Sequence, residues 1–213
     1  MPSGWASFPC FGYIVRWVSG RFRSKQIETM SRKLANVLIT GTPGTGKTSL
    51  ASLLATQTGF QHVEIGRYVK EHDLHDGWDE DLSCYILNED KVCDFLEDRM
   101  SAGGNIVDHH GCDFFPERWF DHVLVLQTEN GILYNRLEQR GYSGRKLREN
   151  IECEIMHVIV EEARESYREG IVRVLKSDTV EDQDKNVDVA LSLLGGTGEQ
   201  GAAAGSPKKK QRC

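Results

Sequence analysis

Apolar positions along this chain keep two alternating rhythms. From Asn36 the run NVLIT is mostly apolar and β-branched, which predicts a buried strand. The SLASLLATQ that follows GTPGTGKT sets Leu50, Leu53 and Leu54 on a helical period. HVEI (62–65) predicts a second short strand. Residues 66–87 carry charge, glycines and aromatics without sustained period, the pattern of an insert outside the core. Asn88 is placed to cap a helix running to about Met100, with Val92, Phe95, Leu96 and Met100 on one face. Gly103–Gly104 breaks it. NIVD (105–108) then predicts a third strand, and HVLVLQT (122–128) a fourth, with the unbroken apolar character of a buried parallel strand. A helix over Glu129–Arg140 directs Leu133 and Leu137 inward, and Gly141, Ser143 and Gly144 interrupt it. The longest helix is expected from about Leu147 to Arg168, on the four-residue spacing of Leu147, Ile151, Ile155, Ile159 and Ala163. IVRVL (171–175) predicts a fifth strand, and Val187, Leu191 and Leu194 a closing helix. This order predicts an α/β fold with a parallel sheet, right-handed crossovers and a ligand site at the strand carboxyl ends.

Composition sets the limits of that domain. The 213 residues are 39% hydrophobic, which suits one domain over 35–194 flanked by an extension at 1–34 and a Gly/Ala-rich, disordered tail at 195–213. The extension reads either as a targeting segment or as an upstream addition to a chain opening at Met30, and the second is favoured. No run approaches the roughly 20 apolar residues of a membrane span. The six cysteines (Cys10, Cys84, Cys93, Cys112, Cys153, Cys213) form no C-x-x-C pair and are expected to be reduced thiols. Charge is divided unevenly. Residues 1–34 hold six basic groups against Glu28, and 195–213 hold four against Glu199, so a net −6 leaves −14 for 35–194. An acidic body argues against unspecific nucleic-acid binding and suits a basic protein partner. The terminal PKKKQR reads as a nuclear import signal or a solubilising tail.

GTPGTGKT carries the chemistry. It fits G-x-x-x-x-G-K-[ST] with Gly41, Gly46, Lys47 and Thr48, between a strand and a helix, the context a phosphate-binding P-loop requires. Glycines let successive N–H groups turn toward a phosphate, and the helix N-terminus adds positive potential. Lys47 is expected on the β- and γ-phosphates, and the Thr48 hydroxyl on Mg²⁺. Asp108, ending an apolar strand, is placed to hold the same ion directly or through water. Either His109 or His110 is placed to orient water or a phosphate oxygen, or to satisfy backbone in a turn. Arg136 and Arg140 share a helix face, where two guanidinium groups reach phosphate or a solvated face. Lys70 and Arg67 are the cations before a dense acidic stretch, and each is a candidate for an acceptor phosphate. Tyr68, Trp78 and Tyr85 border a base or pack the insert.

Four segments carry a resemblance: GTPGTGKT, IVDHHGCDFFPERWF (106–120), LYNRLEQRGYSGRKL (133–147) and NIECEI (150–155). Together, over about Asn36–Leu194, the chain resembles the adenylate kinase isoenzyme 6 family, small atypical adenylate kinases also described as ATPases of ribosome assembly. The resemblance implies an adenylate kinase-like P-loop NTPase fold with a five-stranded parallel sheet flanked by helices, an acceptor-nucleotide region at 64–87 and a short lid at 139–149. It implies ATP contacts from Gly44, Gly46, Lys47, Thr48, Ser49 and Arg140, Mg²⁺ at Thr48 and Asp108, and His110 as the functional histidine. It implies conversion of ATP and AMP (or dAMP or CMP) to diphosphates by a monomer, ATP hydrolysis, a small-subunit ribosomal protein of the pre-40S particle as partner in 18S rRNA maturation, and residence in nucleus and cytoplasm. Lys70 stands where many relatives have Arg, Arg67 where many have Asp, and His109 where many have Tyr. Lys70 and Arg136 are the acceptor-site candidates.

Overall fold

The structure, a computed structural model, describes residues 32–80 and 84–195. The expectations for 1–31, for 196–213 with its basic run, and for Asp81 lie outside the described residues.

Five strands form one parallel sheet: β1 (Val37–Thr40), β2 (Gln61–Glu64), β5 (Asn105–Asp108), β6 (His122–Gln127) and β7 (Val172–Lys176). Their order across the sheet is β2-β5-β1-β6-β7. The central strand β1 pairs with β5 and β6 at once, Val37 lying opposite both Ile106 and His122. Period-two alternation divides the apolar residues between two layers. Val37, Ile39, Ile106, Leu124 and Leu126 face α1 (Lys47–Thr58) and α7 (Val180–Gly195). Leu38, Val107, Val123 and Val125 face α3 (Glu89–Ala102) and α6 (Val158–Ser166). An unbroken β-branched and leucine run is therefore what a strand covered on both sides needs.

Most elements lie where periodicity predicts them. Asn88 caps α3, its side chain accepting from the Lys91 amide. Val92, Leu96 and Met100 are buried, but Phe95 is left 43% exposed, so the inward face is narrower than expected. Two expectations are corrected. Residues 66–87 are not an irregular insert. They contain α2 (Ile65–Glu71) and a hairpin of β3 (His75–Asp79) with β4 (Cys84–Leu87), and Val69 and Leu74 enter the core. A seven-residue helix offers one buried repeat, Ile65 and Val69, too short to register as a period. The long helix is in fact two, α5 (Gly144–Ile155) and α6, joined at His157 with φ 54°. The four-residue spacing ran through the joint, but Ile155 is half exposed there and the chain turns so that Ile159 and Ala163 pack on the sheet.

Between α4 (Asn130–Gln139) and α5, residues 140–143 make a tight helical hairpin. Leu133, Leu137 and Leu147 pack together beneath Tyr142 and Ile151. Lys146 lies over the Tyr142 ring, 5.0 Å from its centroid. This hairpin occupies the segment, 139–149, for which a lid is expected. Cys84, Cys93, Cys112 and Cys153 take part in no disulfide. Among the described residues no helix is long and apolar enough to cross a membrane.

Candidate active site

The loop between β1 and α1 sits at the carboxyl edge of the sheet, over its centre. Two glycines there are sterically obligatory. A Cβ on Gly41, whose φ is +139°, would lie 2.4 Å from the Leu126 carbonyl oxygen. One on Gly44, at φ +96°, would lie 2.9 Å from Leu133 of α4. The loop is thus pressed against β6 and the lid-side helix, which only glycine permits. Gly46 caps α1, and Lys47 and Thr48 open that helix with its unpaired N–H groups beside them.

Lys47 donates through Nζ to the carbonyls of Gly41 (2.8 Å) and Thr42 (3.1 Å). Burial lowers its pKa to about 8, opposed by Asp108, with Arg140 lowering it further. The ammonium is therefore desolvated and poorly compensated, a state that favours an incoming phosphate. Thr48 Oγ1 donates to Asp108 Oδ2 at 2.6 Å, joining the two expected metal-site residues between the head of α1 and the end of β5. Burial pushes the Asp108 carboxyl up, but His62, Lys47 and Thr48 together hold it below the usual carboxylate range. His62 on β2 approaches the same oxygen at 3.6 Å. A hydroxyl and an ionised carboxylate are the hard oxygen donors Mg²⁺ takes, with phosphate and water completing the shell. Among the described residues no group of three or more His, Cys, Asp or Glu could hold a metal by itself. The pair fits an ion that arrives with its nucleotide.

His109 and His110 follow Asp108 with ring centroids 4.2 Å apart. Burial, then the neighbouring Lys47, lowers His109 to about 3. Burial, then His109 and Lys47, lowers His110 well below the usual histidine range. Both are neutral imidazoles near pH 7. Thr40 Oγ1 donates to the His110 carbonyl at 2.8 Å and fixes that turn.

A cleft of about 320 Å³ opens beside the loop, lined by Gly44, Gly46, Ser49, Arg136 and Arg140 on one side and by Ser177, Thr179 and Val180 on the other. Arg140 ends α4 and is exposed toward this cleft. Arg136, expected as an acceptor-site candidate, lines the same side of this cleft. Its guanidinium donates to the carbonyls of Ser177 (3.0 Å), Asp178 (2.6 Å) and Gly44 (3.3 Å), so it ties the P-loop to the loop after β7. It is neither a solvated arginine nor paired with Glu129 or Glu138. The second candidate acceptor residue, Lys70, stands exposed at the end of α2. Arg67 pairs with Glu71 at 3.6 Å. Tyr68 packs against His72 and Phe95 and accepts from Arg99, while Tyr85 stacks on His75 at 4.4 Å. Trp78 is 47% exposed.

Sequence reasoning missed Thr42, His62, Glu154 and the 177–180 loop. The rule that ligands meet a parallel sheet at strand carboxyl ends points to the loop after β7. The others become visible only once β2, β5 and α5 are brought to the same edge.

Residues 37–157 match the family model described as an AAA domain. The chain is 57% identical to an adenylate kinase isoenzyme 6 homolog of Dictyostelium discoideum, over 74% of this chain and 90% of that protein. It is 47% identical to the Caenorhabditis elegans homolog of the same name, over 78% and 92%. Among solved structures, shikimate kinase from Acinetobacter baumannii in complex with shikimate superposes with a TM-score of 0.56 at 14% identity, over 79% of this chain and 97% of that one. That likeness establishes a P-loop kinase fold and leaves the substrate open. Identity of this extent and coverage settles the narrower group: the chain belongs to the adenylate kinase isoenzyme 6 family.

Proposed function

We propose that the protein transfers the γ-phosphoryl group of MgATP to AMP, giving two ADP. The observation carrying this reading is the 2.6 Å Thr48–Asp108 pair beside a desolvated Lys47 at the head of α1, roofed by Arg140. Phosphoryl transfer has a loose transition state that demands positioning and charge neutralisation more than covalent chemistry. P-loop amides and Lys47 would hold the β- and γ-phosphates, and Arg140 would meet charge on the transferring group from the lid. Thr48 and Asp108 would hold Mg²⁺, which neutralises phosphate charge when bound. His110, as a neutral imidazole, would orient an oxygen by hydrogen bonding. The exposed Lys70 would bind the acceptor phosphate as a point charge, without the fork geometry of arginine. Lys47→Ala is the direct test: a folded variant forming ADP at a near-normal rate contradicts the site.

One observation favours a second reading, ATP hydrolysis as an assembly switch. The acceptor half offers an exposed lysine and an arginine already paired with Glu71. An acidic body would suit a basic small-subunit ribosomal protein of the pre-40S particle, with the protein acting in nucleus and cytoplasm. ATP consumption indifferent to AMP but raised by such a partner would support this reading over the kinase.

A further inference from the structure

Glu154 is a buried carboxylate, 6% exposed, that the reaction above does not use. Its two oxygens go to two different parts of the nucleotide edge. Oε2 accepts from Thr42 Oγ1 at 2.5 Å, and Oε1 accepts from the Thr128 amide at 2.7 Å. Thr42 is itself fully buried inside the P-loop. Its carbonyl accepts from the Thr45 amide (3.3 Å), from Thr45 Oγ1 (2.9 Å) and from Lys47 Nζ (3.1 Å). Thr128 continues the chain of contacts: its hydroxyl donates to the Ser177 carbonyl at 3.0 Å, and Ser177 Oγ donates to the Thr45 carbonyl at 2.6 Å. The carboxylate thus closes a ring that grips residues 42 and 45 from behind, at the peptide on which Lys47 rests.

A buried carboxylate is costly unless hydrogen-bonded, and this one would satisfy that need with any two donors. What distinguishes it is where the donors are. A charge-assisted hydrogen bond to a loop hydroxyl is stronger and more directional than a neutral one, so it suits the task of fixing one peptide orientation. The helix that bears Glu154 also begins at Gly144, within the lid, so α5 spans from lid to phosphate loop.

We propose that Glu154 is a positioning residue for the P-loop, acting through Thr42 to hold the loop in its phosphate-binding form. The proposal rests on the reading of 41–48 as a nucleotide site, but it does not require AMP to be the acceptor. Its test is ADP binding by calorimetry, with thermal unfolding of each variant in parallel and all binding measured well below the unfolding midpoint. Thr42→Val removes the hydroxyl donor and keeps the shape, and should weaken ADP binding about tenfold. Thr42→Ser retains the donor and should bind as the parent does. Glu154→Gln should weaken binding less, because a rotated Thr42 hydroxyl can accept from the new amide. The double variant Thr42→Val/Glu154→Gln should bind no worse than Thr42→Val alone, since residues sharing one bond are not additive. A folded Thr42→Val that binds ADP like the parent overturns the proposal, as do losses that multiply in the double variant. If Glu154→Gln does not fold, the contrast between Thr42→Val and Thr42→Ser decides. Parent protein that binds ADP but makes none from ATP and AMP counts against the proposed reaction and not against this coupling.

Discussion

Thr42 and Thr45 lie fully buried under α4 and the loop after β7, with hydroxyls and carbonyls all engaged. Lys70, on the short helix after the edge strand β2, and Trp78, on the separate two-stranded hairpin, stand exposed. The proposed donor half is held by α4, α5, β6 and β7 together. The proposed acceptor half would rely on a lysine with rotamer freedom to lose. A rigid phosphate loop lowers the reorganisation needed in the transition state, whereas an exposed cation gains its strength only when a ligand and closure exclude water. Changes in the donor half should therefore fall on turnover and on binding of the P-loop nucleotide, and changes in the acceptor half on the apparent affinity for AMP.

Lys47→Ala should produce the largest effect, a loss of at least about a thousandfold in kcat/KM with unfolding unchanged, because it removes charge stabilisation inside a water-poor site. Asp108→Asn should follow, lowering turnover by about a hundredfold and raising the Mg²⁺ concentration for half-maximal rate, which a metal titration would read. In the acceptor half, Lys70→Ala should raise KM for AMP about tenfold with KM for ATP unmoved, and Lys70→Arg should lower it below the parent value by supplying a bidentate fork. Equal shifts in both KM values would erase the distinction between the halves.

A subtler contrast comes from pH. Lys47, with a pKa lowered to about 8, loses its proton as pH rises through 8 in the free protein. Nucleotide affinity should fall above that point, by up to about tenfold per unit if only the ammonium binds phosphate. Stability responds in the opposite direction. Between about 8 and the ordinary lysine value of 10.5 the unfolded chain binds the extra proton, so this group makes the fold more stable as pH rises there. Calorimetry and thermal unfolding across pH 7–10 would show the two trends diverge. Because His109 and His110 both titrate well below their ordinary value, neither should contribute a step to kcat between pH 6 and 7.5, and His110→Gln should leave the shape of that profile unchanged.

How much of this was readable beforehand follows from how local each signal is. The five strands, the Asn88 cap and the glycine-rich loop are written within a few residues of one another, and they appear where the pattern places them. The meeting of Asp108 with Thr48 was legible because a strand beside the P-loop strand ends at the head of the following helix. The failures are nonlocal. The α5–α6 break at His157 is set by the need to lay Ile159 and Ala163 on the sheet, which the even four-residue spacing hides. Arg136 has the sequence signature of a phosphate ligand but meets three backbone carbonyls brought from the P-loop and the loop after β7. Glu154 sits 112 positions from its P-loop partner, and no window of sequence could join them.

The central claim is that this edge of the sheet holds two nucleotides. Purified protein, given MgATP alone and then with AMP, should consume ATP at least about tenfold faster once AMP is present and form two ADP for each AMP lost. A rate of ATP loss that does not change with AMP, accompanied by free phosphate in place of the second ADP, would contradict it.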